Sequence, residues 1–219
     1  MCDATRCVII MRALALLLFA ACASNNTDAP TGPTFASVHD RLAAESTRLF
    51  ISGQGSSGSL DAKRYTSGGW VDGTSTIAIS SGELIVKLAG DQLSAQVFDL
   101  SLDPIDLPDS VFGKPAQLTD VRVTLATSAS ATPTWIGTDD VTATIPLKLD
   151  LGWSISINGG VTQLGAQHLP VIPLDVMLTG GGDHVDAILG LHADGTLWSW
   201  AGLIELSKLD LSLAGATVD

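Results

Sequence analysis

Val141-Thr142-Ala143-Thr144-Ile145-Pro146-Leu147-Lys148-Leu149-Asp150-Leu151-Gly152-Trp153-Ser154-Ile155-Ser156-Ile157 places an apolar side chain at every second position from end to end. A period of two is the signature of a strand with one face on a core and one in water. At ~3.3 Å per residue the segment spans roughly 55 Å, about three times an ordinary strand. It is therefore one long curved strand, or it breaks at Gly152. Pro146 has no N–H to give to a ladder, so an edge or a bulge is predicted there.

The same period extends to both sides. Ile77 and Ile79, then Leu84, Val86 and Leu88, then Leu93, Ala95 and Val97 alternate with polar residues. Tight turns at Ser81-Gly82 and Gly90-Asp91 would oppose Ile79 to Leu84, Ile77 to Val86, Leu88 to Leu93 and Val86 to Ala95. After Val97 the apolar phase moves to Phe98, Leu100 and Leu102, a slip that a β-bulge produces. Downstream, Asp194-Gly195 reads as a hairpin turn. That register pairs Leu191 with Trp198, Leu189 with Trp200 and Val185 with Ile204. Leu209, Leu211 and Leu213 form a last strand.

One helix is predicted over residues 34–49. Phe35, Val38, Leu42 and Leu49 share a face, and Thr34 is placed as its N-cap. The Gly-Ser stretch from Gly53 to Ser59 reads as the loop that stops it. The fold class is mainly β: an antiparallel sandwich or an incompletely closed barrel of long curved strands with one N-terminal helix. Such strands around a helix look somewhat like periplasmic lipid carriers, at the level of fold alone.

The N-terminus differs in kind. Arg6 and Arg12 precede an apolar run from Ala13 to Ala21. This is the layout of a signal peptide, too short to span a bilayer as a mature helix. Met11 is a second candidate start. Phe19-Ala20-Ala21-Cys22 resembles the lipobox of bacterial lipoproteins, with Phe19 where that family usually has leucine. The resemblance covers this segment only. It implies cleavage before Cys22, lipid attachment to its thiol and, because Ala23 rather than Asp follows, an outer-membrane destination. The division is then 1–21 signal peptide, 22–33 lipid-anchored tether, 34–219 one β-rich domain.

Composition narrows the chemistry. The chain carries 11 basic and 23 acidic residues, and losing Arg6, Arg12 and Asp3 with the signal leaves a net charge near −13. Such a surface repels phosphate backbones, which speaks against nucleic acid. It also opposes peripheral docking on anionic lipid heads, so the membrane is expected as a partner through the Cys22 lipid. With Cys2 and Cys7 in the signal, Cys22 stands alone, and neither an intramolecular disulfide nor a Cys-based zinc site is available.

Few polar constellations invite a site. Asp183, His184 and Asp186 lie near Glu205 in the register above and form a candidate metal cluster. Its simpler reading is a solvated strand end. His192 lies eight residues along an extended strand from His184 and cannot share its ion. Asp103, Asp106 and Asp109 offer oxygen ligands of the kind calcium takes, or a polar loop stiffened by proline. Gly180-Gly181-Gly182 reads as a turn, because no helix follows to make a phosphate site. The Gly53–Gly58 stretch misses the phase of a Gly-x-Ser-x-Gly elbow. No cofactor, metal or catalytic group is therefore assigned.

Two functions remain from the sequence. In the first, the domain binds a lipid or other apolar ligand, lined by Trp153, Leu189, Leu191, Trp198, Trp200 and Ile204. In the second, it is a structural or interaction lipoprotein with a solid core. A continuous apolar cavity favours the first and a filled interior the second.

Overall fold

A computed structural model describes residues 34–218. Residues 1–33, with the expected signal peptide, Cys22 and the expected tether, lie outside the described residues. Thirteen strands and two short helices follow in the order α1 (Val38–Ala44), β1 (Thr47–Thr66), β2 (Gly69–Ile77), β3 (Ile79–Ala89), β4 (Gln92–Leu102), β5 (Ile105–Leu107), α2 (Asp109–Phe112), β6 (Ala116–Thr127), β7 (Ala129–Ala131), β8 (Thr134–Ile136), β9 (Asp140–Ile157), β10 (Gly160–His168), β11 (Ile172–Gly180), β12 (Val185–Trp200) and β13 (Ile204–Ala216). All pairings are antiparallel. Eight strands close on one another in the cycle β1-β3-β4-β6-β9-β11-β12-β13.

The cycle repeats one pattern twice. In each unit a long strand, β1 or β9, descends from the upper end. It is paired on the way back by two strands laid end to end, β2 then β3 or β10 then β11. Two more ring strands complete the unit, β4 and β6 or β12 and β13. The upper piece of each returning pair continues round the ring, β3 to β4 and β11 to β12. The lower pieces, β2 and β10, pair only with their own long strand.

Val141–Ile157 is one strand, not two. Leu118, Thr119 and Arg122 pair across Gly152–Ile155 with one extra residue, Asp120 and Val121 together standing against Trp153, and β10 has one extra residue, Leu164, at the same level. Bulges in both neighbours accommodate its curvature, so β9 itself has no need to break. Pro146 sits opposite Pro173 of β11, two residues without N–H at one ladder position. On its other side, pairing with β8 ends at Thr142 and pairing with β6 begins at Lys148.

The bulge after Val97 is present: Ile85 pairs with Val97 and Val86 with Ala95, leaving Gln96 over. Leu88 opposes Leu93 as the period predicts. The turn at Ser81-Gly82 is not formed. Both residues lie inside β3, where Ile79 faces Leu102, Leu84 faces Phe98 and Leu49, and Ile77 faces Gly58. A Cβ on Gly82 would sit 2.7 Å from the Leu100 side chain and 3.2 Å from that of Ile51. The glycine serves close strand packing there rather than a turn.

Two further expectations are corrected. The helix spans only Val38–Ala44, with Ser37 as N-cap accepting from the Asp40 N–H at 3.1 Å. Leu49 instead faces the interior from β1, and residues 53–59 continue that strand. β1 exchanges β3 for β2 along this stretch, and a Cβ on Gly53 would meet the Ile79 carbonyl at 2.4 Å. Asp194-Gly195 is likewise no hairpin turn. β12 runs through it with register shifts between Ala193 and Trp198, and the chain reverses at Ala201-Gly202. Gly195 does take the left-handed conformation, φ 94°, but spends it on a bulge. Leu189 therefore pairs with Leu213, Leu191 with Leu211, Trp198 with Leu206 and Trp200 with Ile204.

Helix α1 lies against the upper end. Val38 and Leu42 are fully buried. The Val38 N–H reaches Asp139 Oδ1, and the Arg41 guanidinium donates to the carbonyls of Gly182 and Asp183 at 3.1 and 2.8 Å. The triple-glycine stretch forms the β11–β12 connection that receives it. A Cβ on Gly182 would overlap the Phe35 carbonyl.

Candidate functional site

The ring interior is packed. Leu84, Val86, Leu93, Leu100, Val141, Ile145, Leu147, Leu174, Leu178, Val185, Leu189 and Leu206 have no accessible surface. A void large enough for water would expose the side chains that line it, so none adjoins these residues. An eight-stranded closure leaves room for side chains or for one small ligand, and here side chains take it. Leu189, and Leu191 at 1% exposure, belong to this filled region.

The lower half is less completely sealed, and the two units differ there. In the first, the chain between β4 and β6 crosses the free side of β2. Ser75 Oγ, itself buried, donates to the Asp106 carbonyl at 2.7 Å, and Arg64 donates to the Phe112 carbonyl at 3.1 Å. Gly73 leaves space for Pro108, whose ring would lie 2.9 Å from a Cβ. Ile105, Leu107, Val111 and Phe112 are all buried beneath this cover.

In the second unit the corresponding connection, between β12 and β13, is only Ala201-Gly202-Leu203. Nothing among the described residues pairs with the outer side of β10, or with β12 beyond the reach of β11. β10 is exposed along most of both faces. Trp153, Ile155, Leu197 and Ile204 are buried but keep a little accessible surface, and Ile157, Leu164 and Trp198 are half-buried against the core. Trp153, Trp198 and Ile204 of the sequence-predicted lining thus belong to the lower half, whereas Leu189 and Leu191 do not. The Trp200 side chain lies outside what is described. Trp153 Nε1 is a buried donor with no partner among the described residues, a state that costs free energy unless an acceptor is supplied.

The polar candidates do not converge. Glu205 is held by Lys63 at 2.7 Å and faces Ser199, near the lower end. His184 and Asp186, 3.1 Å apart, sit at the upper end where β12 begins. The proposed set of Asp183, His184, Asp186 and Glu205 is therefore split along the length of the hairpin, because that hairpin turns later than Asp194-Gly195. Asp106 Oδ1 accepts from Gln117 at 3.0 Å. With Asp109 it borders an open cleft of about 610 Å3 that also includes Ser156 and Asn158. No group of three potential metal ligands assembles among the described residues.

Charged clusters do form on the exterior. His192 bonds Asp210 through Nδ1 and Asp194 through Nε2, the latter at 2.9 Å. Hydrogen bonds to Asp210 and then Asp194 raise its pKa above the ordinary imidazole value. For Asp210, partial burial pushes upward, but His192 and Lys208 outweigh it and the pKa falls. On another outer face, Asp99 is held below the usual carboxylate range by its hydrogen bond to Arg122. Both clusters are solvated ion pairs on sheet exteriors, the bland outcome for such groups.

No family model matches the chain, and no curated protein matches it.

Proposed function

We propose that the chain is an exported, lipid-anchored envelope protein that binds an apolar, acyl-type ligand along the lower flank of its second unit, between β10 and the end of β12. The observation that carries this reading is the unequal covering of two equivalent flanks. The first is closed by a buried segment of the chain itself. The second leaves Ile157, Leu164 and Trp198 half-buried and Val161 65% exposed. An apolar ligand laid there removes that surface from water at roughly 25 cal/mol per Å2. An ester or amide carbonyl on it would give the Trp153 indole N–H an acceptor. The anchoring part rests on the lipobox resemblance at Cys22, and outer-membrane placement on Ala23.

The test is titration of the purified protein with a fluorescent fatty acid. Trp198→Ala is expected to weaken binding, and Trp153→Phe, which keeps a ring and removes the N–H, to weaken it less. Unchanged affinity in both variants would refute the reading. Anchoring is tested separately: Cys22→Ser should move the protein out of the membrane fraction with its fold intact.

A second reading is favoured by the sealed upper interior: a structural or interaction lipoprotein with no internal ligand. Native mass spectrometry separates the two. Co-purifying lipid supports the first, and a bare polypeptide mass with no fatty-acid uptake supports the second.

A further inference from the structure

Three hairpins end at the lower end of the ring, away from α1. They turn at Ser67-Gly68, at Asn158-Gly159 and at Ala201-Gly202. Each presents large apolar or aromatic side chains to water: Tyr65 at 54% exposure, Trp70 at 48%, Val161 at 65% and Leu203 at 47%. The first and third tips adjoin directly, since the Tyr65 N–H donates to the Leu203 carbonyl at 2.8 Å. Other large apolar side chains are exposed elsewhere, Ile136 and Ile188 among them, but Tyr65, Trp70 and Leu203 stand together on adjoining tips, and a contiguous apolar patch is what marks an interaction surface.

The charge distribution is equally uneven. The whole chain has a net charge of −12, yet 63–71, 151–167 and 195–204 contain no acidic residue. Lys63 is neutralised by Glu205 just above the tips and rests 5.0 Å from the Trp70 ring centre. Arg64 is turned to the Phe112 carbonyl. Asp106 and Asp109 border the Asn158-Gly159 tip across an open cleft, so the acid-free part of this end is the adjoining pair of tips at Ser67-Gly68 and Ala201-Gly202. The β1–β2 and β12–β13 tips thus form one surface that is apolar, aromatic and nearly uncharged.

We infer that this rim docks on the surface of a lipid bilayer, with Tyr65 and Trp70 as its interfacial anchors. Tyrosine and tryptophan favour the headgroup level because each has an apolar body and a polar tip. A glycan fits less well. Tyr65 and Trp70 meet at 68°, edge to face, and make no flat platform. The adjoining tips at 63–71 and 195–204 also contain no carboxylate or amide side chain that would hold sugar hydroxyls. Near-neutrality points to zwitterionic rather than anionic lipid, consistent with the strongly acidic remainder of the chain. The inference deepens the flank reading, because the flank opens onto this rim and would receive an acyl chain from the surface it touches.

The test is flotation of the full chain carrying Cys22→Ser, so that no attached lipid drives association, with phosphatidylcholine vesicles. The parent should float, and the pair Tyr65→Ser with Trp70→Ser should lower its partition by about tenfold, the scale of two aromatic anchors. Circular dichroism should show both folded, and Tyr65→Phe with Trp70→Phe should restore most of the binding. A parent that fails to float overturns the inference. So does a Ser variant that floats equally well, binding confined to anionic vesicles and abolished by salt, or retention on a glycan matrix in place of vesicles. Trp198→Ala keeps this failure distinct from failure of the flank reading: it should lower fatty-acid uptake in vesicle-free buffer while leaving flotation unchanged.

Discussion

The two units follow one strand order and differ most in the connection between their last two ring strands. Between β4 and β6 the chain travels from Asp103 to Pro115, long enough to lay β5 and α2 across the free side of β2. Between β12 and β13 it reverses within Ala201-Gly202-Leu203, and none of the described residues pairs with the outer side of β10. The edge left by an antiparallel architecture is a liability that proteins cover, charge or bulge. Here one edge is covered. The other has a bulge at Leu164 and no charged residue before His168. The difference teaches that exposed surface in this fold is decided by loop length between ring strands, while the order of strands around the ring is the same on both sides.

Mutations can break this comparison or sharpen it. The largest effect is expected in the sealed part. Leu189→Ala should cost about 2–5 kcal/mol by denaturant unfolding, and Trp198→Ala less than half as much, since its indole is only half-buried. Equal losses would mean that the flank is packed as tightly as the interior. Next comes the cover. Phe112→Ala should cost about 3 kcal/mol and speed hydrogen exchange of the β2 amides toward the rates of β10. If β2 stays protected, β5 and α2 are not what shields it. Gly195→Val should cost about 1–2 kcal/mol, because φ 94° is a conformation that β-branched residues resist. Gly55→Val should cost no less by thermal melting, since Gly55 has φ 81° and its added Cβ would lie 3.3 Å from the Ala214 Cβ.

The smallest effect concerns pH. The His192 pKa is raised in the folded state, so the folded protein holds that proton more tightly than the unfolded chain does. The stabilisation is full below the unfolded imidazole value of about 6.5 and is lost as pH rises through the higher folded value. His192→Gln should flatten stability over that window, and NMR titration of the imidazole should give a midpoint above 6.5. A midpoint at or below it would contradict the pairing with Asp210.

Much of this fold is legible in the sequence because a period of two survives tertiary context. The inward set of β9, the Leu88–Leu93 and Val86–Ala95 pairs and the bulge beside Gln96 follow from apolar phase alone. What phase cannot settle is where the chain reverses. Ser81-Gly82 and Asp194-Gly195 have turn chemistry, yet both lie within strands. Gly82 is needed for the close approach of Leu100 and Ile51, and Gly195 for a bulge, and neither need is visible locally. The weaker Ala201-Gly202 makes the turn instead, because β13 must rise far enough to pair with β1. That one displaced turn also separated Glu205 from His184 and Leu189 from Trp200. In the candidate lining, Trp153, Trp198 and Ile204 were readable as apolar phase. The division of the set between sealed and open halves was not, since it depends on the length of a loop elsewhere. Leu164 and Ile157 were missed, although β10 lacks the alternation of a covered strand.

The ring closes where β1 meets β13, with Phe50 opposite Ala216 and Arg64 opposite Ile204. The first and last strands of the domain are therefore neighbours, and the order of events during synthesis matters. Until β13 has emerged, β1 and β12 each present a raw edge, and long-range pairing of this kind is slow and prone to misassociation. A chain truncated before Ile204 should accumulate as aggregate rather than as a smaller folded unit. The same adjacency brings the two ends of the domain together at the upper end. A circular permutant that joins them and opens the chain at Gly137, between the units, would make β6 and β9 the last strands to meet. It should reach the same native ring by a different closing step, with its refolding rate rather than its stability altered.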